Sequence, residues 1–254
     1  MPENRSIPLS VAIVTKNEQR NIADCIRSVA FATDVVVVDS GSTDDTVKIA
    51  TELGARVFHE EWKGYGAQKN SAVDKCDNDW VLILDADERV PAASAAAIAR
   101  VIASSPAPDA FNLKRKNYFN GRWIRFSGWP DWQRRLVRKG RGGYTATVHE
   151  EWHVQGTVAD LDAHLDHYSY ESYAAMLAKA EEYSALSAAE LKKAGKRPSA
   201  IRPALHWLST FLKVYVLKGG IFYGADGLMI ARVKALGSYL KYAKLNRLYE
   251  GDSD

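Results

Sequence analysis

Asp85, Asp87 and Glu88 place three carboxylates within four residues, directly after the apolar run Val81-Leu82-Ile83-Leu84. Acids this close together call for a cation, and a hard divalent ion that takes carboxylate and phosphate oxygens suits them. Asp85 and Asp87 stand two apart, so a strand continued through both would present them on one face. The apolar run predicts a fully buried strand, and open α/β sheets bind ligands beyond the carboxyl ends of their strands. Taken alone, these acids fit a solvated turn after a core strand better than a metal site. The elements around them have to decide.

Leu9 to Val14 is a second apolar run, ending at Thr15-Lys16-Asn17-Glu18 and followed by Ile22, Cys25, Ile26 and Val29 at helical spacing. Val35 to Val38 is a third, ending in Asp39-Ser40-Gly41-Ser42-Thr43-Asp44-Asp45. Ser42 is expected to cap the next helix with Asp45 at the capping-box position, and Gly54 to stop it. Arg56 to His59 predicts another strand, and Gly66 to Val73 the start of a helix. Strands alternating with helices at this interval predict βαβ units and a mostly parallel sheet flanked by helices. The turn after the first strand has no G-x-G-x-x-G, and no G-x-x-x-x-G-K-[ST] occurs, so neither phosphate-binding loop applies. Instead the sheet offers polar side chains after its first strand and acids after its second and fourth. Asp39 can accept hydrogen bonds from a base or ribose, or cap a turn; Lys69 can reach a phosphate.

An alanine-rich helix is expected from Pro91 to about Ala103, then strands at Ala110–Phe119, Trp123–Phe126 and Gln133–Arg138. This section is dense in aromatics, with Arg115, Arg122, Arg125, Arg134 and Arg135 among them. They suit a sugar and phosphate cleft, or an aromatic core under a basic rim. Asp131, between Pro130 and Trp132, is a candidate general base in apolar company. His149-Glu150-Glu151-Trp152-His153 matches the zinc-peptidase pattern H-E-x-x-H, which needs a helix to bring both histidines to one metal. The β-branched neighbours Thr145, Thr147, Val148, Val154, Thr157 and Val158 favour a strand. His149 is expected instead to approach a metal held by Asp87.

From about Glu171 the pattern is helical, which divides the chain into residues 1–170 and a helical, basic extension over 171–254. Tyr173, Met176, Leu177, Ala180 and Tyr183 mark one apolar side, Leu205 to Leu217 is apolar nearly all round, and Val233, Leu236, Leu240 and Ala243 form a final stripe. Between Lys192 and Arg247 twelve Lys and Arg face one acid, Asp226, an excess of +11 that leaves −8 for the rest of a chain of net +3. Such a tail either packs on the body or lies on an anionic membrane surface, with Trp207, Tyr215 and Tyr223 at headgroup level. At ~1 kcal/mol for each basic side chain, half of that excess would give reversible attachment. The N-terminus lacks a signal-peptide pattern, and no run of about eighteen uncharged apolar residues predicts a spanning helix. Overall, 254 residues at 46% hydrophobic and 26% charged are ordinary for a globular protein. Cys25 and Cys76 lie in helix-like segments and are expected to be core thiols in a reducing compartment.

Four stretches, Ala12-Ile13-Val14-Thr15-Lys16-Asn17-Glu18, Val37-Val38-Asp39-Ser40-Gly41-Ser42-Thr43-Asp44, Gly66-Ala67-Gln68-Lys69-Asn70 and Leu84-Asp85-Ala86-Asp87-Glu88, resemble in order and spacing the family-2 glycosyltransferases of the GT-A fold. Pro130-Asp131-Trp132-Gln133 and Val148-His149-Glu150 resemble the lipopolysaccharide core glucosyltransferases among them. The resemblance implies a GT-A sheet over roughly residues 7–155 and inverting transfer of one sugar from a nucleotide-diphosphate donor such as UDP-glucose, assisted by Mg²⁺ or Mn²⁺. It further implies that Thr15, Asn17, Glu18 and Asp39 hold the nucleoside, and that Lys69 stands near the donor. Asp85 would touch ribose or metal, and Asp87 would bind the metal. Asp131 would be the base, with Glu150 in reserve. Gln133-Arg134-Arg135-Leu136 lacks the tryptophan of processive members, which favours a single addition. The expected acceptor is a glycan or lipid-linked sugar at the inner face of the cytoplasmic membrane, where the protein would be peripheral; no nucleic-acid partner is expected. A non-catalytic nucleotide-sugar-binding or membrane-adaptor module is the competing reading.

Overall fold

The computed structural model describes residues 6–104, 107–127, 129–145, 152–170 and 172–250. Its contacts divide the chain into two units, Met1–Asn117 with Trp129–Ser169, and Tyr118–Gly128 with Tyr170–Asp254.

The first unit opens with β1 (Ile7–Thr15), α1 (Ile22–Ser28), β2 (Ala32–Asp39), α2 (Thr46–Glu52), β3 (Arg56–His59), α3 (Tyr65–Asp74) and β4 (Trp80–Asp85). β1 pairs in parallel with both β2 and β4, and β3 with β2. β4 shows why this order is stable. Trp80, Leu82 and Leu84 enter the core under α1, α2 and α4 (Ala92–Ala103), while Val81 and Ile83 enter the core under α3. A strand buried on both faces needs an unbroken apolar run, and each such side chain contributes about 1.5–3 kcal/mol.

The remaining strands are β5 (Glu88–Arg89), β6 (Ala110–Phe119), β7 (Arg122–Trp123), β8 (Asp131–Arg138), β9 (Gly142–Tyr144), β10 (Trp152–Val154) and β11 (Val158–Tyr170). The large sheet runs β3-β2-β1-β4-β8-β6-β11-β5, with β7 on β6. β8 is antiparallel to β4 and to β6, and β11 to β5. The parallel half thus carries the first loops, and the antiparallel half brings late residues back beside the acids. Cys25 and Cys76 are buried free thiols.

Three local expectations are corrected. Asp85 and Asp87 do not share a strand, because β4 ends at Asp85 and Ala86-Asp87 form a turn before β5. Ser42 does not cap α2: its hydroxyl donates to Asp39 and accepts from the Asn17 amide, while Asp44 accepts from the Thr46 amide. The strand expected at Trp123–Phe126 stops at Trp123, and Arg125–Ser127 is a 3-10 turn.

The second unit contains α5 (Tyr173–Lys193), α6 (Arg202–Leu212), a π-helical turn at Lys213–Leu217, a 3-10 turn at Gly220–Tyr223 and α7 (Gly224–Glu250). Its core joins Phe119, Ile124 and Phe126 to Met176, Val214, Ile230, Ala231 and Val233. Tyr215 and Tyr223, expected at headgroup level, are half-buried and pack on that core. The buried side of α7 is Ile230, Ala231, Val233, Ala235, Tyr242 and Leu245; Leu236, Leu240 and Ala243 are only half-buried. Among the described residues no single helix is long and apolar enough to cross a membrane, though the bent pair Arg202–Leu217 and Gly220–Glu250 together has the composition.

Candidate active site

Two loops at the carboxyl ends of β1 and β2 are clasped together. The Asn17 amide donates to the Ser42 hydroxyl at 2.8 Å and the Thr43 amide to the Asn17 side-chain oxygen at 2.8 Å. The Glu18 amide donates to the Thr46 hydroxyl at 2.8 Å, and Glu18 in turn accepts from the Asn21 side chain at 2.9 Å. Asn17 takes a left-handed conformation, φ 56°, which asparagine tolerates better than most residues. Asp39, 1% exposed, accepts from the amides of Gly41 at 3.0 Å and Ser42 at 2.9 Å, and its carboxylate lies 3.2 Å from His59 Nδ1. It therefore holds the loop in shape as an Asx turn does. Beside it, Thr15 Oγ1, Ser40 Oγ and Gln68 Nε2 are buried with no hydrogen-bond partner among the described residues. Buried polar atoms are nearly always paired, which makes these three candidates to meet polar atoms of a ligand.

The acids at the end of β4 and in the turn beyond it have different surroundings. Asp85 is neutralised on both sides, by Lys69 Nζ at 3.0 Å and by Arg135 at 2.6 Å. Burial opposes its ionisation, but the charges of Arg135 and Lys69 outweigh that and hold its carboxyl well below the usual carboxylate range. Arg135, 3% exposed, also reaches Glu88 at 2.9 Å, and Glu88 accepts from the Asp85 amide at 3.0 Å. Arg115 continues the series, 3.6 Å from Glu88 and 2.8 Å from Asp131. Lys69, Asp85, Arg135, Glu88, Arg115 and Asp131 thus alternate in charge, which offsets the cost of clustering so many buried and half-buried ions.

Asp131 is not in apolar company. Arg115 and Gln133 each donate to it at 2.8 Å. Burial works to raise its carboxyl, but the charge of Arg115 and hydrogen bonds from Gln133, Arg115 and Asn117 bring it below its ordinary value, so it stands ionised. Arg115 and Arg135 are accordingly counterions of the acids rather than a basic rim. Arg134 bonds the Trp152 carbonyl at 2.6 Å and Asn112 at 3.2 Å. Arg122 and Arg125 belong to the second unit.

Asp87 turns away from that series toward His167 on β11, with 3.3 Å between its carboxylate and Nε2. The sequence reading missed His167; its only signal was a histidine in the β11 segment His167-Tyr168. Its Nδ1 lies 2.6 Å from the Asn117 side-chain oxygen, so with Nδ1 as the donor it is Nε2 that faces Asp87. In that tautomer Nε2 and the Asp87 carboxylate can share a proton or a metal ion. One carboxylate and one imidazole whose other nitrogen donates to a carbonyl oxygen is a donor set that fits a divalent ion completed by phosphate oxygens and water. Among the described residues no three His, Cys, Asp or Glu side chains converge as a complete metal cage. Asn117 hydrogen-bonds to Asp131 as well as His167, so the candidate metal ligands and the candidate base are joined through one side chain. His149 and Glu150 lie outside the described residues, as does most of the H-E-x-x-H stretch. His153 sits on a strand, β10, not on the helix that a zinc peptidase requires.

Comparison with known proteins gives the chain its relatives. The family model described as glycosyl transferase family 2 matches residues 10–152. An uncharacterized glycosyltransferase of Rickettsia typhi is 34% identical over 254 residues, 94% of this chain and 87% of the relative. The lipopolysaccharide core biosynthesis glycosyltransferase LpsC of Rhizobium meliloti is 29% identical over 252 residues, covering 94% and 92%. Among solved structures, S. aureus TarS 1–349 in complex with UDP-GlcNAc is similar in fold, with TM-score 0.51 and 16% identity over 92% of this chain and 91% of that one.

Proposed function

The chain belongs to glycosyl transferase family 2 and is a glycosyltransferase, and from that premise we propose that it moves one hexose, with inversion, from a nucleotide-diphosphate donor such as UDP-glucose to a glycan or lipid-linked acceptor of the lipopolysaccharide-core kind. The observation that carries the proposal is the separation of the two aspartates: Asp85 is saturated by Lys69 and Arg135, while Asp87 faces His167. The core-biosynthesis role of LpsC, similar along most of both chains, supports the acceptor class.

Thr15, Asn17, Glu18 and Asp39, with Ser40, line the nucleoside position. Asp87 and His167 would hold Mg²⁺ or Mn²⁺ against the diphosphate, with Asp85 acting through its neighbours rather than on the metal. What such an ion supplies is neutralisation of the charge that grows on the leaving oxygen as the bond to C1 breaks. Lys69 and Arg135 keep Asp85 from adding repulsion to that diphosphate. The acceptor hydroxyl attacks C1 from the opposite side and gives its proton to Asp131, which Arg115 keeps ionised; Glu150 is the reserve base.

The test is a panel of nucleotide sugars with lipopolysaccharide-core acceptor, in Mg²⁺ or Mn²⁺ and in chelator. Transfer from one donor should require metal and be lost in Asp87→Asn. In Asn117→Ala, loss of the hydrogen bond behind His167 should raise the metal concentration for half-maximal rate about 10–100-fold. Full activity in chelator would overturn the metal assignment, and turnover with no acceptor class of sugar would overturn the reaction.

A further inference from the structure

The outer side of α6 is apolar and uncovered. Ile201, Leu205, Leu208, Leu212 and Val216 recur every three or four residues, and all are between 47% and 68% exposed. A helix normally buries such a stripe. The face continues into the corner that follows, where Leu217 is 81% exposed and Phe222 is 84% exposed. Side chains exposed to that degree stand out from the surface instead of lying in it.

That corner is firmly built. Gly219 takes a left-handed conformation at φ 82°, and a Cβ on Gly227 would fall 1.9 Å from the Gly220 carbonyl oxygen. Only bare backbone lets α7 close this tightly on the turn. Tyr223 packs on Phe126 with ring centres 4.7 Å apart, and its hydroxyl accepts from the Arg125 amide at 3.4 Å. The protruding Leu217 and Phe222 are thus held out by a packed base.

The segment that builds this face carries charge of one sign up to Asp226 in the first turn of α7, whose carboxylate accepts from the Tyr173 hydroxyl. From Lys192 to Ala225 there are seven Lys and Arg and no Asp or Glu. Lys213 and Lys218, both exposed, flank the corner, and their side chains have no carboxylate partner among the described residues. Arg122 and Arg125 are exposed beside it, Arg122 lying 5.0 Å over the Tyr223 ring. A second copy of the chain would set this basic rim against another like it. An anionic surface would not.

We propose that the outer face of α6 and the corner from Val216 to Phe222 form a lipid-docking surface, which inserts Leu217 and Phe222 into the outer acyl region of an anionic bilayer while Lys213, Lys218, Arg122 and Arg125 meet lipid phosphates. This is an interfacial embedding, not a span. A crossing hairpin would carry the corner lysines through the hydrocarbon, whereas α7 packs along α5 with Lys244 paired to Glu181 at 2.6 Å. It places membrane contact on α6 and the corner, not on the α7 lysines or Tyr215 and Tyr223.

The test is flotation of the full chain with vesicles of phosphatidylcholine alone or with 30–40% phosphatidylglycerol (about one anionic lipid in three, enough for a substantial surface potential), read without donor or acceptor so that it stands apart from sugar transfer. Binding is expected to the anionic vesicles and to fall with salt. Lys213→Glu with Lys218→Glu should lower the partition constant at least about thirty-fold. Leu217→Asp with Phe222→Asp, at positions too exposed to matter for folding, should lower it about a hundred-fold or more with an unchanged circular dichroism melt. No binding to anionic vesicles, equal binding to neutral ones, or unchanged binding by the aspartate variant overturns the proposal. So does a vesicle-free dimer that the aspartate variant converts to monomer, which would assign the face to a second copy.

Discussion

Replacing Arg135 with methionine keeps much of the side-chain volume but removes the charge shared by Asp85 and Glu88. Removing one partner of a buried ion pair costs about 3–5 kcal/mol. Arg135 and Glu88 are 3% and 0% exposed, so that range applies. Two features draw the estimate to its lower end. Asp85, 27% exposed, keeps Lys69 at 3.0 Å, and Glu88 keeps Arg115 at 3.6 Å. We expect Arg135→Met to lose ~3 kcal/mol near neutral pH, by the cost of a broken buried pair. The pH dependence has a definite sign. Although burial opposes it, Arg135 and Lys69 lower the Asp85 carboxyl well below its ordinary value. A carboxyl lowered on folding contributes stability that is fully present above its unfolded pKa of about 3.9 and is lost as pH falls through the lower folded value. The gap between wild type and variant should therefore be widest at neutral pH and narrow as pH falls through the variant's folded carboxyl values, which the loss of Arg135 leaves higher than those of the wild type. Urea unfolding followed by tryptophan fluorescence and circular dichroism at pH 7, 5 and 3.5 measures it. Glu88→Gln added to Arg135→Met removes the stranded carboxylate and should recover about 1 kcal/mol or more. A loss below ~1 kcal/mol, the range of exposed pairs, or a gap unchanged down to pH 3.5, would refute this account of the buried charges.

Two further outcomes test other parts of the molecule. Asp131→Asn should cut transfer about 10²–10⁴-fold, the usual worth of a general base, with donor affinity unchanged by calorimetry; a retained rate would move the role to Glu150. Gly227→Ala should destabilise the second unit by about 1–3 kcal/mol, as overpacking does, because its Cβ would lie 1.9 Å from the Gly220 oxygen. A thermal melt unchanged by that substitution would contradict the close approach.

Much of the first unit was legible because its signals are local. The runs at Leu9–Val14, Val35–Val38 and Val81–Leu84 are apolar without interruption because their strands are covered on both faces, and each ends at the polar loop that lines the site. The capping assignment of Ser42 failed for a non-local reason: its hydroxyl bonds Asp39 and the Asn17 amide across the two clasped loops. Asp131 looked apolar from its neighbours Pro130 and Trp132, but its side chain points to Arg115 on the adjacent strand.

The sequence by itself determined where acids, turns and buried strands fall, and through four short stretches, the family. Tertiary structure decided which charges each acid meets. Antiparallel pairing sets Arg135, Arg115, Asp131 and His167 beside the acids after β4, in registers that no local periodicity encodes. Two arginines that read as a basic rim became counterions, Arg135 buried and Arg115 half-buried, and a histidine with no motif of its own became the partner of Asp87. The reason is physical: an ion's role depends on which opposite charges surround it within a few ångströms, and here those charges come from strands distant in the chain.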